Sequence, residues 1–304
     1  MAVNTAWDHV SGNIFKTWLI MFFFSIFVVA VVYIFARGFG YGQTGALGLV
    51  GFALILAGIM NFVSYFWSDK IVLGLSGAKP IKKEDNPTLY RTVENLCIAA
   101  GLPLPKIYIM NEEAPNAFAT GRDPKHAAIV FTRGILQRLD KHELEGVTAH
   151  ELSHVGNRDT LVMAVVSVLV GMLAILSDIF LRSLWFGGNN RERGGMFMIL
   201  AIIAAILAPI AAMLIQMAVS RRRELLADAS GVLLTRYPQG LALALQKISS
   251  SHTQMKAAHT GTAHLFIINP LKGKSAGQWL AGLFNTHPSL EARIKALQEM
   301  EGKV

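Results

Sequence analysis

Asp140-Lys141-His142-Glu143-Leu144-Glu145-Gly146-Val147-Thr148-Ala149-His150-Glu151-Leu152-Ser153-His154-Val155-Gly156-Asn157-Arg158-Asp159 is the stretch on which the fold turns, because an apolar run begins two residues later at Leu161. Asp140 stands three residues before Glu143, the spacing of a capping box, so a helix starts here. Along it Leu144, Val147, Thr148, Leu152 and Val155 turn toward a core. His150 and His154 lie four apart, about 40° around the helix axis, so both imidazoles can grip one ion. Glu151 is offset from both and can stand beside the metal without binding it. A general base that takes a proton from water activated at zinc needs that placement. The pattern His-Glu-x-x-His also arises by chance on surface helices, so its surroundings decide its meaning.

Outward from the motif, four apolar runs divide the chain: Trp18 to Ala36, Gly45 to Trp67, Leu161 to Leu181 and Met196 to Val219. Each is long enough to cross a hydrocarbon core of ~30 Å at ~1.5 Å per residue. Hydrophobic residues make up 53% of the 304 and charged residues 16%, with a mean hydropathy of +0.43. A typical globular chain is about 25% charged, so the composition implies a bilayer-embedded protein. The first run could be a signal peptide, but no small-residue cleavage site follows it and the second run argues for retention. Runs one and two form a hairpin around Gly38–Gln43. Runs three and four form another around Gly187–Gly194. Asp178, inside the third run, reads as an interfacial carboxylate rather than a proton relay.

The formal charge of +8 raises the question of nucleic acid, but no motif that reads DNA or RNA is present. Lys70, Lys79, Lys82, Lys83 and Arg91 follow the second run and Arg221-Arg222-Arg223 follows the fourth. The positive-inside bias therefore puts residues 68–160 and 220–304 together on the cytoplasmic side. Cys97, the single cysteine, can make no internal disulfide and reads as a buried, inert thiol.

The polar segment before the motif reads as α+β. Pro87 to Ala100 is a helix with Leu89, Val93, Leu96 and Cys97 on one face, ended by Gly101-Leu102-Pro103. Lys106 to Met110 and Ala128 to Phe131 read as strands, with Pro115 to Gly121 a third between them.

Candidates for a third metal ligand are few downstream of the motif. Glu224 and Asp228 share one helical face; Glu224 would complete a His₂Glu site, and Asp228 would hold the outer nitrogen of a ligand histidine. The alternative is two solvated charges paired with the arginines. Glu145 and Asp159 are weaker rivals, Asp159 reading as the cap of the third run. His287, before Pro288, is either an oxyanion-stabilising imidazole or a residue that merely starts a helix. His252, His259 and His264 fall in a polar stretch read as a loop, and His9, His126 and His142 have no partner pattern.

His150 to His154 with Asn157-Arg158-Asp159, Glu224-Leu225-Leu226-Ala227-Asp228, Asn116-Ala117-Phe118-Ala119, Thr132-Arg133-Gly134 and Asn285 to Leu290 together resemble the HtpX family of bacterial membrane metalloproteases, relatives of the CaaX prenyl endopeptidases. The likeness covers nearly the whole chain. It implies an α+β, mainly helical fold: four transmembrane helices in two hairpins joined to a gluzincin-like zinc protease domain. The parts would be 1–68 (first hairpin), 69–160 (protease, first part), 161–219 (second hairpin) and 220–304 (protease, second part). One Zn2+ would be held by His150, His154 and Glu224, with Glu151 the base. Asn116 to Ala119 would be an edge strand that pairs with the substrate backbone. The resemblance also makes His287 an active-site residue and places Arg293 after it in the family pattern. The implied enzyme sits in the bacterial inner membrane, faces the cytoplasm and clears misfolded membrane proteins. Two rival readings are a dedicated processing peptidase for one peptide or lipidated substrate, and a non-catalytic zinc-stabilised membrane scaffold. The partners are polypeptides and the lipid bilayer, with no nucleic acid; oligomeric state is left open.

Overall fold

The computed structural model describes residues 6–38, 41–186, 214, 221–251, 253–255, 262–268, 270 and 288–302. Two long helices come first, α1 (Ala6–Gly38) and α2 (Gln43–Ser76). Each is roughly 50 Å long, well beyond the ~30 Å of a hydrocarbon core. Within α1 the stretch His9–Ile34, and α2 throughout, are apolar enough to cross a bilayer. They extend past the apolar runs at both ends, since a helix stops at a backbone signal rather than at the last apolar residue. For α2 that signal is Gly77, whose left-handed φ of 63° lets its N–H reach back to Gly74.

As far as Ser68 the buried face of α2 is made of small residues, Ala46, Ala53, Ala57, Ser64 and Ser68. They let neighbouring backbones come close, the way helices pack where lipid removes the hydrophobic drive between them. Asn61 crosses the hairpin to the Met21 carbonyl (3.1 Å) and Ser25 Oγ (2.8 Å). Outward-facing Phe22, Phe23, Ile26, Phe52, Ile55 and Ile59 are exposed. They form the apolar surface that lipid covers.

A four-stranded sheet follows, made of β1 (Lys79–Pro80), β2 (Lys106–Met110), β3 (Ala117–Thr120) and β4 (Ala128–Thr132) in the order β1-β2-β4-β3. β2 and β4 are parallel, in register Lys106↔Ala128, and β3 is antiparallel to β4, which leaves it at the sheet edge. β4 is buried along its length: Ile129 and Phe131 face one core, Ala128 and Val130 the other. Burial on both faces explains its unbroken apolar sequence.

Helix α3 (Pro87–Ala100) has the expected bounds, capped by Asn86 at its start (3.1 Å to the Leu89 N–H) and ended by left-handed Gly101. Cys97 on it is buried, and burial pushes its thiol up to about 11. After a short α4 (Arg133–Arg138), the motif helix α5 (Lys141–Gly156) begins with both hydrogen bonds of the Asp140–Glu143 capping box. At Asn157-Arg158 the chain bends by 81° into α6 (Asp159–Phe186). Arg158 takes φ +60, a left-handed state that costs a non-glycine residue about 1–2 kcal/mol.

Two cores flank the sheet. Leu89, Val93, Ile107, Phe131 and Leu152 fill one, together with Val232 of α7 (Arg221–Thr235), Leu245 of α8 (Pro238–Ser249) and Leu297 of α9 (Leu290–Met300). The other joins Met110, Phe118 and Val130 to Phe24 of α1, Val72 of α2, and Val162 and Leu169 of α6. The spanning helices and the protease half thus share a core through the sheet. α6 covers the whole of the third apolar run. Of the fourth run only Leu214 is described, and it lies in this second core; the link Gly187–Gly194 lies outside the described residues.

Candidate active site

α5 and α7 cross closely enough to bring three side chains together. Their approach depends on Gly231, where a Cβ would stand 3.1 Å from the His150 main-chain nitrogen. Facing it, His150, His154 and Glu224 are all buried, and their donor atoms lie within 4.8 Å of one another. The two Nε2 atoms are 3.2 Å apart; Glu224 Oε1 is 3.5 Å from His154 Nε2, and Oε2 is 3.8 Å from His150 Nε2. Tetrahedral donors at ~2.1 Å from zinc stand roughly 3.4 Å from each other, so spacing and donor set both suit that ion.

Both imidazoles are held from behind by a carboxylate. His150 Nδ1 lies 2.9 Å from Asp228 Oδ1, and His154 Nδ1 lies 3.0 Å from Asp159 Oδ2. Each Nδ1 contact leaves the matching Nε2 directed to the centre, the usual arrangement around ligand histidines. The sequence reads Asp159 as the cap of the third run; its side chain instead turns back to the motif and holds His154. Sequence spacing hides this, because the 81° bend is what folds residue 159 over residue 154.

Arg293, buried in the first turn of α9, donates to Asp228 through Nε (2.8 Å) and Nη2 (2.6 Å). Its Nη1 is 3.6 Å from Glu224 Oε2. Ser289 caps that helix, through the Ala292 N–H at 3.2 Å, and so sets where Arg293 falls. Burial raises the Asp228 carboxyl, but the Arg293 charge and the His150 hydrogen bond outweigh it and hold Asp228 below the usual range.

Glu151 is buried beside the Ala119 main chain, and its Oε1 has no hydrogen-bond partner among the described residues. Burial pushes it up to about 7; His154 pulls it down and the nearby Glu224 charge adds to the rise. A carboxylate poised near neutrality suits a general base. The two histidines diverge. Burial lowers both, and for His150 burial wins, aided by the Arg293 charge. For His154 the Asp159 hydrogen bond and the Glu224 charge win, lifting it to about 9.

Asn116, Ala117, Phe118 and Ala119 lie along the outer edge of the sheet, next to Glu151. The edge is not bare. Ile267 N–H donates to the Ala117 carbonyl (3.0 Å), and the Asn116 side chain donates to the Ile268 carbonyl (2.8 Å). The Phe266 ring packs edge-on against Phe118, with centroids 4.9 Å apart. His264, read as a loop residue, is buried with Nε2 3.3 Å from Ser167 Oγ. His126 and His142 make local surface pairs with Asp123 and Glu145. His252, His259 and His287 lie outside the described residues, as does the side chain of Asp178.

The sequence pattern of peptidase family M48 matches residues 83–301. A protease HtpX homolog of Caldanaerobacter subterraneus subsp. tengcongensis is 44% identical over 99% of both chains. Another, from Aquifex aeolicus, is 48% identical over 86% of both. The crystal structure of S. mikatae Ste24p superposes with a TM-score of 0.49 at 18% identity, covering 93% of this chain and 66% of that one. With a family pattern over most of its length, relatives above 40% identity and apolar helices beside a metal-ready site, the chain belongs to peptidase family M48 and is a membrane metallopeptidase.

Proposed function

We propose that the protein is a zinc-dependent endopeptidase of the bacterial inner membrane, with four spans and a cytoplasmic active site, that hydrolyses misfolded or damaged membrane proteins. The observation that carries this reading is one buried constellation: two histidines with carboxylate-held Nδ1 atoms, a glutamate completing the triad, and a second glutamate beside it whose Oε1 has no hydrogen bond among the described residues. A structural zinc site is normally closed by four protein ligands and needs no such base.

His150, His154 and Glu224 would hold the ion, which when bound supplies Lewis acidity toward the carbonyl and the water. Glu151 takes a proton from the attacking water, whose oxygen bonds to the carbonyl carbon. The same carboxyl then returns the proton to the leaving amine as the C–N bond breaks. Asp228 keeps His150 oriented throughout, and Arg293 keeps Asp228 charged. His287 is proposed to stabilise the oxyanion. Asn116 to Ala119 would pair with the substrate main chain, a mode that tolerates many side chains and so fits broad clearance. Basic residues after α2 and at the start of α7 support the cytoplasmic orientation.

The test is Glu151→Gln in detergent-purified full-length protein. Zinc should stay bound and cleavage of casein should cease; undiminished cleavage refutes the mechanism.

A further inference from the structure

The N-terminal spanning helix reaches the metal site. Asn13 on α1 is buried, and its Nδ2 donates to Asp159 Oδ1 (2.8 Å) and to the Asn157 carbonyl in the α5–α6 bend (2.8 Å). Its Oδ1 accepts from Arg223 Nη1 (3.3 Å), which also donates to Asp159 Oδ1 (3.1 Å). Asp159 Oδ2 in turn holds His154 Nδ1. We propose that Asn13 is a positioning residue for His154, acting through Asp159, so that the first spanning helix completes the metal site rather than only anchoring it. The position requires a donor and an acceptor on one short side chain. An amide supplies both; a carboxylate would set an anion against Asp159, and an apolar residue would remove the donor to the Asn157 carbonyl and leave Arg223 alone to hold Asp159 Oδ1.

This rests on His154 being a ligand, so the test separates the two ideas. The zinc dissociation constant of full-length protein is measured by competition with a chromogenic chelator, for wild type and for His154→Ala, Asn13→Ala, Asn13→Asp and Asn61→Ala. Partners behind metal ligands are typically worth about 10–100-fold in affinity, and both Asn13 variants should lose that much. Asn61→Ala removes a half-buried amide from the same hairpin, away from the site, and should stay within about twofold of wild type. Asn13→Asp is nearly isosteric and serves if Asn13→Ala does not fold. If His154→Ala keeps wild-type affinity, the ligand assignment fails and takes this inference with it. If His154→Ala loses zinc while the Asn13 variants match wild type, the inference alone is overturned. It also falls if Asn61→Ala weakens zinc as much as they do.

A different observation carries a second inference. The main chain of Ile267 and Ile268 is bonded on every side: Ile267 N–H to Ala117, Ile267 C=O to Arg293 Nη1 (3.2 Å), Ile268 C=O to Asn116 Nδ2 and Ile268 N–H to Asn116 Oδ1 (3.4 Å). Two of these partners belong to the proposed substrate strand, and Arg293 also touches the metal triad. We infer that residues 266–268 occupy the seat of the substrate main chain in the resting enzyme, and that a substrate replacing them presents a bulky apolar side chain where Phe266 meets Phe118. This rests on the strand-pairing reading of β3. Ile267→Pro removes the N–H that holds Ala117, and Phe266→Ala removes the ring. Each should raise kcat/KM on casein about three- to tenfold, the scale of one lost hydrogen bond, with zinc content unchanged; both side chains are buried in the cores, so each folded variant should melt below wild type. Wild type that cuts nothing refutes the protease reading and this inference with it. Wild type that cuts while neither folded variant is faster overturns this inference alone.

Discussion

Glu151→Gln should stabilise the metal-free protein at alkaline pH while silencing it. In the folded state burial lifts the Glu151 carboxyl from an ordinary 4.5 to about 7. A raised acid pKa means that the folded state holds the proton more tightly than the unfolded chain. Stability is therefore lost as pH rises from about 4.5 through about 7, and stays lost above it. The rise from 4.5 to about 7, at about 1.36 kcal/mol per tenfold change in proton affinity, amounts to about 3 kcal/mol at pH 8. Gln keeps the shape but carries no charge to bury. Purified chelated protein, heated at a fixed scan rate, should melt roughly 5–10 °C higher for the variant at pH 8 and within a degree or so of wild type at pH 4.5. Zinc should narrow the gap, because a cation beside the carboxylate offsets its desolvation. An equal gain at both pH values, or none at pH 8, would refute the reasoning.

Other consequences follow from the same geometry. His154 keeps its proton up to about 9 in the metal-free site, so zinc binding at pH 8 should release about one proton; calorimetry in buffers of differing ionisation enthalpy reads it, and zero release would contradict the assignment. The affinity should correspondingly rise with pH until about 9. Gly231→Ala places a Cβ 3.1 Å from the His150 nitrogen and should move α7. The roughly 1–3 kcal/mol of overpacking is offset in part by about 1 kcal/mol of helix propensity, so the melting temperature should change little while zinc affinity falls at least about fivefold. Asp228→Ala leaves Arg293 buried without its bidentate partner, and should cost about 3–5 kcal/mol in stability as well as zinc affinity; a melting curve that matches wild type would sink that view.

Much of the site was legible because it is written in short-range patterns. The four-residue spacings 150/154 and 224/228 and the capping box at Asp140 each lie within one or two helical turns, where geometry follows from the sequence. α3 was legible to the residue because Asn86 and Gly101 punctuate it on both sides. What escaped is what depends on bends and long-range contacts. Asp159 was read as a cap, since nothing local reveals that the chain turns by 81° at Arg158. Asn13 and Arg223 sit 146 and 64 residues from Asp159, and only the packing of α1, α6 and α7 brings them together. A polar amide one turn before an apolar run was the available signal for Asn13. Arg293 was visible only through the family pattern. The covered edge of β3 was not legible at all, because Phe266-Ile267-Ile268 carries no strand alternation of its own.

The central claim is that Glu224, reaching in from α7, completes a metal site with the two histidines of α5. Zinc content of purified full-length protein, by elemental analysis after dialysis against a weak chelator, tests it directly. About one zinc per chain in wild type and in Glu151→Gln, and almost none in Glu224→Ala, is the predicted result. Full zinc occupancy in folded Glu224→Ala would contradict it.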